Sequence, residues 1–243
     1  MELIPLLGME LFGDQFTCYE STPLDPRHTA LLVVDMQYNG AHADFGWSLA
    51  MEKLAPGSMA YFNRRIEEVT VPTIRSLVGL FRSNDLPVVY LTIGSEFRDY
   101  RDLKNQRFRN LILDMEEKTG VGEMFWSGAA MARVRDELKP DPNELVINKT
   151  TFGAFNSTDI EEKLRSLGIE CLVITGQSTN CCLETTARDA ADRGFTCVLV
   201  DDGTCDYDEE MHKASLRAFK WNYGEILRDE NEVRRALGMQ ERR

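Results

Sequence analysis

The chain has 243 residues, of which 43% are hydrophobic, and a formal net charge of -12 at pH 7. A chain of this length can bury one substantial core, and nothing in its composition requires two domains. The acidic balance argues against DNA, RNA or an anionic membrane as the main partner, because such surfaces repel an acidic protein, and we expect a small-molecule substrate.

The N-terminal segment MELIPLLGMELFGDQ lacks a basic start followed by a long apolar run, and no stretch of the chain approaches the ~18 apolar residues of a membrane helix. We therefore expect a cytoplasmic protein with no membrane partner. In a chain large enough to fold without staples, the cysteines are expected to be reduced thiols. They are Cys18, Cys171, Cys181, Cys182, Cys197 and Cys205.

The first elements predict a β-α-β unit. TALLVVD (29–35) and PVVYLTI (87–93) are short apolar runs typical of strands buried on both faces. Between them, Pro72 is expected to bend or interrupt a helix. The apolar stripe of that helix is Ile66, Val69, Ile74, Leu77 and Phe81.

The middle of the chain is less regular. Residues 94–142 mix a charged segment, FRDYRDLKNQRFRN, with glycines and the short helical pattern AAMARVRDELKP, and we expect an excursion from the core. LVIN (145–148) then predicts a strand. STDIEEKLRSLG (157–168) predicts a helix that begins with a Thr158/Glu161 capping box and ends at Gly168.

The last third alternates again. CLVIT (171–175) and FTCVLV (195–200) predict strands around a small-residue helix, CLETTARDAADRG (182–194). Asp206 with Glu209 predicts the start of a further helix, and Asp229 with Glu232 that of a final one before Gly238. GEIL (224–227) predicts a last strand between these two helices.

Alternating strands and helices predict a doubly wound α/β fold: a mostly parallel sheet of about six strands with helices on both faces. We expect a single domain over residues 28–243, preceded by an N-terminal extension, residues 1–27. No GxGxxG follows any strand, which argues against a nucleotide-binding dehydrogenase.

Useful chemistry follows three of the predicted strands: the first ends at Asp35, LVIN is followed by Lys149, and CLVIT leads into Cys181 and Cys182. Singly, such residues are more often a turn former, a solvated charge and an inert thiol, but ligands of such sheets bind beyond the carboxyl ends of strands. A helix N-terminus and a nearby cation lower the pKa of a thiol. An adjacent carboxylate can take the thiol proton and deliver it to a leaving group.

With these residues, the sequence resembles the isochorismatase-like cysteine hydrolases, which include nicotinamidases, N-carbamoylsarcosine amidases, ureidoacrylate amidohydrolases and biuret-type hydrolases. The resemblance covers roughly residues 28–227. Its most specific parts are ALLVVDMQ, the K-T-x-F-x-A-F-x-S-T segment from Lys149 to Thr158, and TGQSTNCCLETTARDA.

The resemblance implies a triad of Asp35 as acid and base, Lys149 as cation and Cys182 as nucleophile, with Cys181 as the variable residue before it. It also implies a cis peptide between Gln177 and Ser178, and an oxyanion hole made of the Ser178 and Cys182 backbone N–H groups. No metal or other cofactor is required by this scheme. A vicinal disulfide is disfavoured, because adjacent cysteines must strain their shared peptide to bond.

Cys182 favours amide hydrolysis through a covalent acyl-thioester, with release of ammonia. Linear ureido or carbamoyl compounds, of the biuret, triuret or ureidoacrylate type, are the expected substrates. A nicotinamidase-like aromatic amidase is an alternative, although His28, His42 and His212 lack the Asp-x-His spacing by which nicotinamidases of this family commonly bind a metal. A vinyl ether hydrolase of the isochorismatase type and a non-catalytic scaffold are further alternatives.

Substrate contacts are expected from a small set of residues near the predicted triad, and one arginine of the 98–109 segment is a candidate for binding an anionic substrate. The resemblance also implies a homo-oligomer, either a dimer or a tetramer. The candidate substrate-binding residues are Gln37, Asn39, Phe152, Phe155 and Gln177.

Overall fold

A computed structural model describes residues 23–240 and contains a six-stranded sheet with helices on both faces. The strand order is β3-β2-β1-β4-β5-β6, and every neighbouring pair is parallel. The predicted doubly wound α/β fold is therefore confirmed. The strands are β1 (Thr29–Val34), β2 (Val88–Ile93), β3 (Leu145–Lys149), β4 (Cys171–Gln177), β5 (Thr196–Cys205) and β6 (Glu225–Leu227).

Helices connect successive strands, and two of them are preceded by a π-helical turn, at Ile66–Thr70 and Thr179–Leu183. The α-helices are α1 (Tyr38–Ala41), α2 (Gly46–Leu54), α3 (Ala60–Arg65), α4 (Val71–Ser83), α5 (Gln106–Thr119), α6 (Ile160–Ser166), α7 (Glu184–Asp192), α8 (Glu209–Asn222) and α9 (Glu230–Ala236).

The alternation of side chains along β1 divides the interior into two cores. Leu32 and Val34 belong to a core shared with α5, α6, α7 and α8, whereas Leu31 and Val33 belong to a core shared with α3, α4 and α9. All six residues of β1 are buried, because successive side chains of a central strand enter opposite cores. An unbroken apolar run is therefore what this position in the sheet requires.

The order of the strands reverses at β1, which pairs with β2 on one side and β4 on the other. A crevice forms at such a reversal, outside the carboxyl ends of the strands. Gly176, near the end of β4, has φ +115°, and a Cβ there would lie 2.0 Å from the Val34 carbonyl oxygen. Only glycine therefore allows β4 to approach β1 this closely beside the crevice.

The predictions for Pro72 and for residues 94–142 can be compared with the helices of the structure. Pro72 is the second residue of α4 and follows the Ile66–Thr70 π-helical turn. The backbone stays helical from α3 through this turn, so the hydrogen-bond pattern changes just before the proline and the helix is not interrupted. Residues 94–142 are more regular than predicted, because Asn105 accepts a hydrogen bond from Phe108 N and begins the 14-residue helix α5. The pattern AAMARVRDELKP forms only short 3-10 turns.

One predicted helix cap is confirmed in part, and another is wrong by two residues. Helix α6 begins after Asp159, whose side chain makes no capping hydrogen bond, and the Ile160 N–H donates to Thr158 Oγ1 at 3.3 Å. Thr158 therefore caps α6 as predicted, whereas the Glu161 carboxylate accepts from Arg193. Helix α8 is capped by Asp208, which accepts from Met211 N, because Asp206 accepts hydrogen bonds from other backbone N–H groups.

Of the other two predicted helix starts, one is confirmed and one is displaced by two residues. The Asp229 cap of α9 is confirmed, since its side chain accepts from the backbone N–H groups of Asn231 and Glu232. The helix predicted from Cys182 is a π-helical turn as far as Leu183 and becomes α7 only at Glu184.

The chain already packs on the domain before the predicted boundary at residue 28. Leu24 is 3% exposed, and its N–H donates to the Ala236 carbonyl at 3.0 Å. Residues 1–22 of the predicted extension, with Cys18, and residues 241–243 lie outside the described residues. Within residues 23–240, the helices are too short or too polar to cross a bilayer.

Candidate active site

A buried ion pair lies at the carboxyl edge of the sheet. Lys149 Nζ donates to Asp35 Oδ2 at 2.8 Å, and the two side chains are 0% and 3% exposed. Asp35 directly follows β1 and has φ +53°, so the chain leaves the strand direction at this residue. Aspartate tolerates this left-handed conformation better than most residues do.

The ion pair requires a long side chain at position 149, because Lys149 and Asp35 lie two strands apart in the sheet. Lys149 ends β3, and β2 lies between β3 and β1, with Ile93 paired to Lys149. Two strand spacings amount to roughly 10 Å, which a four-carbon side chain can bridge towards a carboxylate on the far strand.

The environment makes Asp35 more basic than an ordinary aspartate. Burial raises the pKa of Asp35, and the Lys149 ammonium and the Cys182 thiol oppose this rise. Burial alone would lower the pKa of Lys149, but the negative charge of Asp35 and the hydrogen bonds of Lys149 with Asp35 and Cys182 raise it, so the ammonium stays charged. The buried Oδ1 of Asp35 accepts no hydrogen bond of ordinary geometry from the described residues, and it is therefore available as a proton acceptor.

Cys182 lies in the π-helical turn Thr179–Leu183 and is 7% exposed. Its hydrogen bond with the Cys181 thiol and its burial raise the pKa of Cys182, and Lys149 only partly opposes them. The expectation of a lowered pKa is therefore wrong, because burial and the neighbouring Asp35 carboxylate disfavour a thiolate. Cys182 rests as a thiol next to a buried base.

The two adjacent cysteines are both free thiols in the structure, as are Cys171, Cys197 and Cys205. Cys181 is partly exposed, and its hydrogen bond to Cys182 lowers its pKa. No disulfide therefore joins the two thiols.

The peptide between Gln177 and Ser178 is cis, as the resemblance implied. It lies between β4 and the turn that carries Cys182. The Gln177 side chain donates to the Asp35 carbonyl at 3.0 Å and accepts from the Ser178 hydroxyl at 3.1 Å. Gly40 leaves room for this side chain, since a Cβ there would lie 2.4 Å from Gln177 Nε2. Gln177 thus ties the cis peptide to the backbone of the acid residue.

Gln37 and Asn39 are predicted to contact the substrate, but their side-chain amide groups form hydrogen bonds with the backbone of other segments. Gln37 Nε2 donates to the Ala132 carbonyl at 2.6 Å, and its Oε1 accepts from Ile93 N at 2.8 Å. Asn39 Nδ2 donates to the Met124 carbonyl at 2.9 Å. Both side chains are 1% exposed, and these bonds hold the segment after β1 in place.

The two predicted aromatic residues point to different places. Phe152 is partly buried and contacts Phe108 edge to face, with ring centroids 5.0 Å apart. Phe155 packs on Phe195, which precedes β5 and lies at the opposite end of the sheet from Asp35. Of these two, only Phe152 is thus placed with the aromatic residues near the triad.

An aromatic wall that the sequence analysis missed extends from Phe152 to the nucleophile turn. Tyr207 lies against the Ser178 side chain and near both thiols, and burial raises the pKa of its phenol. Because its five members come from five separate segments, no local pattern indicates it. The aromatic wall consists of Trp47, Phe108, Phe125, Phe152 and Tyr207, whose ring centroids are 4.9 to 6.4 Å apart along the chain of contacts.

The arginines of the 98–109 segment lie around α5 and the loop before it. Arg98 stacks on Trp126 at 3.7 Å and pairs with Glu123, and Arg101 stacks on Phe97 at 3.9 Å. These contacts occupy both guanidinium groups on the surface.

The chain is similar to known proteins in sequence and in fold. The model of the Isochorismatase domain matches residues 29–231. Ureidoacrylate amidohydrolase RutB of Rhizobium rhizogenes is 28% identical over 191 residues, which cover 76% of this chain and 73% of that protein. Nicotinamidase 3 of Arabidopsis thaliana is 32% identical over 119 residues, which cover 48% of this chain and 59% of that protein.

Among solved structures, a cysteine hydrolase from Pseudomonas syringae pv. phaseolicola 1448A has a TM-score of 0.70 at 23% identity, covering 89% of this chain and 95% of that one. This likeness shows a shared fold. Since the domain model spans most of the sequence, the protein belongs to the isochorismatase family.

Proposed function

We propose that this protein is a cysteine-dependent amidohydrolase that cleaves a C–N bond of a small linear ureido or carbamoyl compound and releases ammonia. The observation that carries the proposal is the buried pair of Asp35 and Lys149 beside Cys182, with Asp35 Oδ1 open to a proton. A fixed cation next to a carboxylate of raised pKa suits a base that must both take and return a proton.

In the proposed reaction, Asp35 takes the proton of Cys182 and the sulfur attacks the amide or carbamoyl carbon. The backbone N–H groups of Ser178 and Cys182 stabilise the developing oxyanion. Asp35 returns the proton to the departing nitrogen, the C–N bond breaks, and ammonia leaves an acyl-thioester on Cys182. Water then gives a proton to Asp35 and its hydroxyl to the acyl carbon, and the proton returns to sulfur as the acid product leaves.

The walls of the site agree with a flat substrate. A ureido or carbamoyl group is planar and can stack on an aromatic ring, and Tyr207 of the aromatic wall lies near Ser178 and both thiols. The similarity to ureidoacrylate amidohydrolases further favours the ureido class over simple amides.

A nicotinamidase-like aromatic amidase is the second candidate. The aromatic wall favours it, because a heteroaromatic ring stacks on such residues at least as well as a ureido group does. The 32% identity to Nicotinamidase 3 also favours it, although that match covers about half of this chain.

Ammonia release from biuret, triuret, ureidoacrylate, N-carbamoylsarcosine and nicotinamide, compared by kcat/KM, tests the proposal. We expect a ureido or carbamoyl compound to be the best substrate. A clear preference for nicotinamide would favour the second candidate instead. Turnover of isochorismate alone, or of none of these compounds, would contradict amide hydrolysis.

The two neighbouring thiols supply a matched pair of variants for the mechanism. Cys182→Ser should abolish ammonia release while the circular dichroism spectrum stays that of the wild type. Cys181→Ser changes the adjacent thiol in the same way and should leave turnover largely intact. Loss of activity in Cys181→Ser with retention in Cys182→Ser would show that Cys181, and not Cys182, is the nucleophile.

A further inference from the structure

A second buried constellation holds the turn that carries Cys182. The hydroxyl of Thr179, the first residue of this turn, lies 2.9 Å from His212 Nδ1, and His212 Nε2 lies 2.9 Å from Asp201 Oδ1. Thr179 is 0% and His212 1% exposed. The three residues combine a hydroxyl, an imidazole and a carboxylate, but no substrate can reach the buried hydroxyl, so a nucleophilic role is excluded.

The bonds of Arg65 indicate which imidazole nitrogen carries hydrogen. Arg65 Nη2 lies 2.8 Å from both the Asp201 carbonyl and Asp201 Oδ1, and 2.9 Å from His212 Nε2. Its two hydrogens are used by the two Asp201 oxygens, so Nε2 donates its own hydrogen to Asp201. In the neutral imidazole, Nδ1 then accepts a hydrogen bond from the Thr179 hydroxyl.

The same side of the turn has another anchor. Asp206, which directly follows β5, accepts from Asn180 N at 2.7 Å and from Tyr207 N at 2.8 Å. The chain from β5 into α8 thus contacts two successive residues of the turn: Thr179 through its side chain and Asn180 through its backbone N–H. These two residues lie three and two positions before Cys182.

We propose that Thr179, held by His212 and Asp201, is a positioning residue that aims the Cys182 thiol at Asp35 and the N–H groups of the turn at the substrate. The inference rests on the proposed amidohydrolase function and adds a set of residues outside the triad. A turn that can rotate loses this alignment, because a small displacement of reacting groups is enough to slow catalysis strongly.

Three threonine variants test this role. Thr179→Val removes the hydroxyl with little change of shape, and kcat should fall by about tenfold to a hundredfold with little change in KM. Thr179→Ser keeps the hydroxyl and should restore most of kcat. Thr29→Val is the matched control, because Thr29 is also 0% exposed and donates to the Asp25 carbonyl at 2.7 Å at the far end of β1. It should lose stability but not kcat.

The alkylation rate of Cys182 by iodoacetamide, followed by peptide mapping, gives a readout that needs no substrate. Thr179→Val should slow this alkylation severalfold, whereas Thr29→Val should not. If the wild type hydrolyses no amide, the proposed function fails but alkylation still tests the positioning role. Alkylation of Thr179→Val at the wild-type rate overturns the inference, as does an equal slowing in Thr29→Val or Thr179→Ser.

Discussion

Replacing Lys149 with methionine will leave the buried Asp35 carboxylate without its partner. Methionine has a similar length but carries no charge, so the change removes the ammonium with little loss of packing. In the wild type, the two charged atoms lie 2.8 Å apart and both side chains are excluded from solvent. Breaking a buried pair by removing one member is more damaging than replacing both.

The distance sets the size of the effect. At an effective dielectric constant of about 20, unit charges 2.8 Å apart attract by roughly 6 kcal/mol. Without this attraction, burial raises the pKa of Asp35 further, and we predict that the buried carboxyl of the folded variant keeps its proton. Because the ordinary pKa is 3.8, protonation costs about 1.4 kcal/mol per pH unit above it, or roughly 4 kcal/mol at pH 7.

The sign of the pH dependence follows from the raised pKa. The unfolded chain releases the Asp35 proton above its ordinary pKa of 3.8, and the folded variant retains it. The penalty is therefore full at pH 7 and shrinks as the pH falls towards 4. Urea unfolding of Lys149→Met should show its deficit relative to the wild type decreasing by roughly 3 kcal/mol between pH 7 and pH 5. Turnover should be lost at pH 7, because protonated Asp35 cannot accept the Cys182 proton.

Two further variants make the test specific. Lys163→Met removes a lysine whose pair with Asp159 is exposed, and its stability should match that of the wild type at both pH values. Asp35→Asn combined with Lys149→Met removes both buried charges and should recover much of the lost stability without activity. A deficit of Lys149→Met that stays constant between pH 5 and pH 7 would refute the reasoning.

Three other predictions follow from single features. As the pH is lowered, kcat/KM of the wild type should begin to fall while the pH is still above 3.8, because burial raises the pKa of Asp35 and the protonated carboxyl is not a base. A value of kcat/KM that stays constant down to pH 4 contradicts this. Gly176→Ala should lower the melting temperature markedly, since its Cβ would lie 2.0 Å from the Val34 carbonyl oxygen, and an unchanged thermal melt would show that β4 can shift away. Asp229→Ala should cost about 1 kcal/mol in urea unfolding through loss of the α9 cap, and no loss would mean that α9 is held by packing alone.

Local pattern was sufficient for most of the fold. The unbroken apolar run of β1 predicts a strand with a core on each face, because successive side chains alternate and both sets must avoid water. The parallel sheet then places the residues that follow β1 and β4 at one edge, so Asp35 and Cys182 could be named together. Helix starts were less predictable, because Asp206 and Asp208 are both suitable caps and only tertiary contacts decide which one caps α8.

The sequence by itself determined the architecture and the residue types at the strand ends, since periodicity and local preference are properties of neighbouring residues. The family resemblance already grouped Lys149 with Asp35, but only the tertiary structure decided the 2.8 Å contact that they make across β2, the raised pKa of Cys182 and the contact of His212 with Thr179. Those properties depend on distances between side chains far apart along the chain. Burial and pair energies change steeply with such distances, and periodicity in the sequence carries no measure of them.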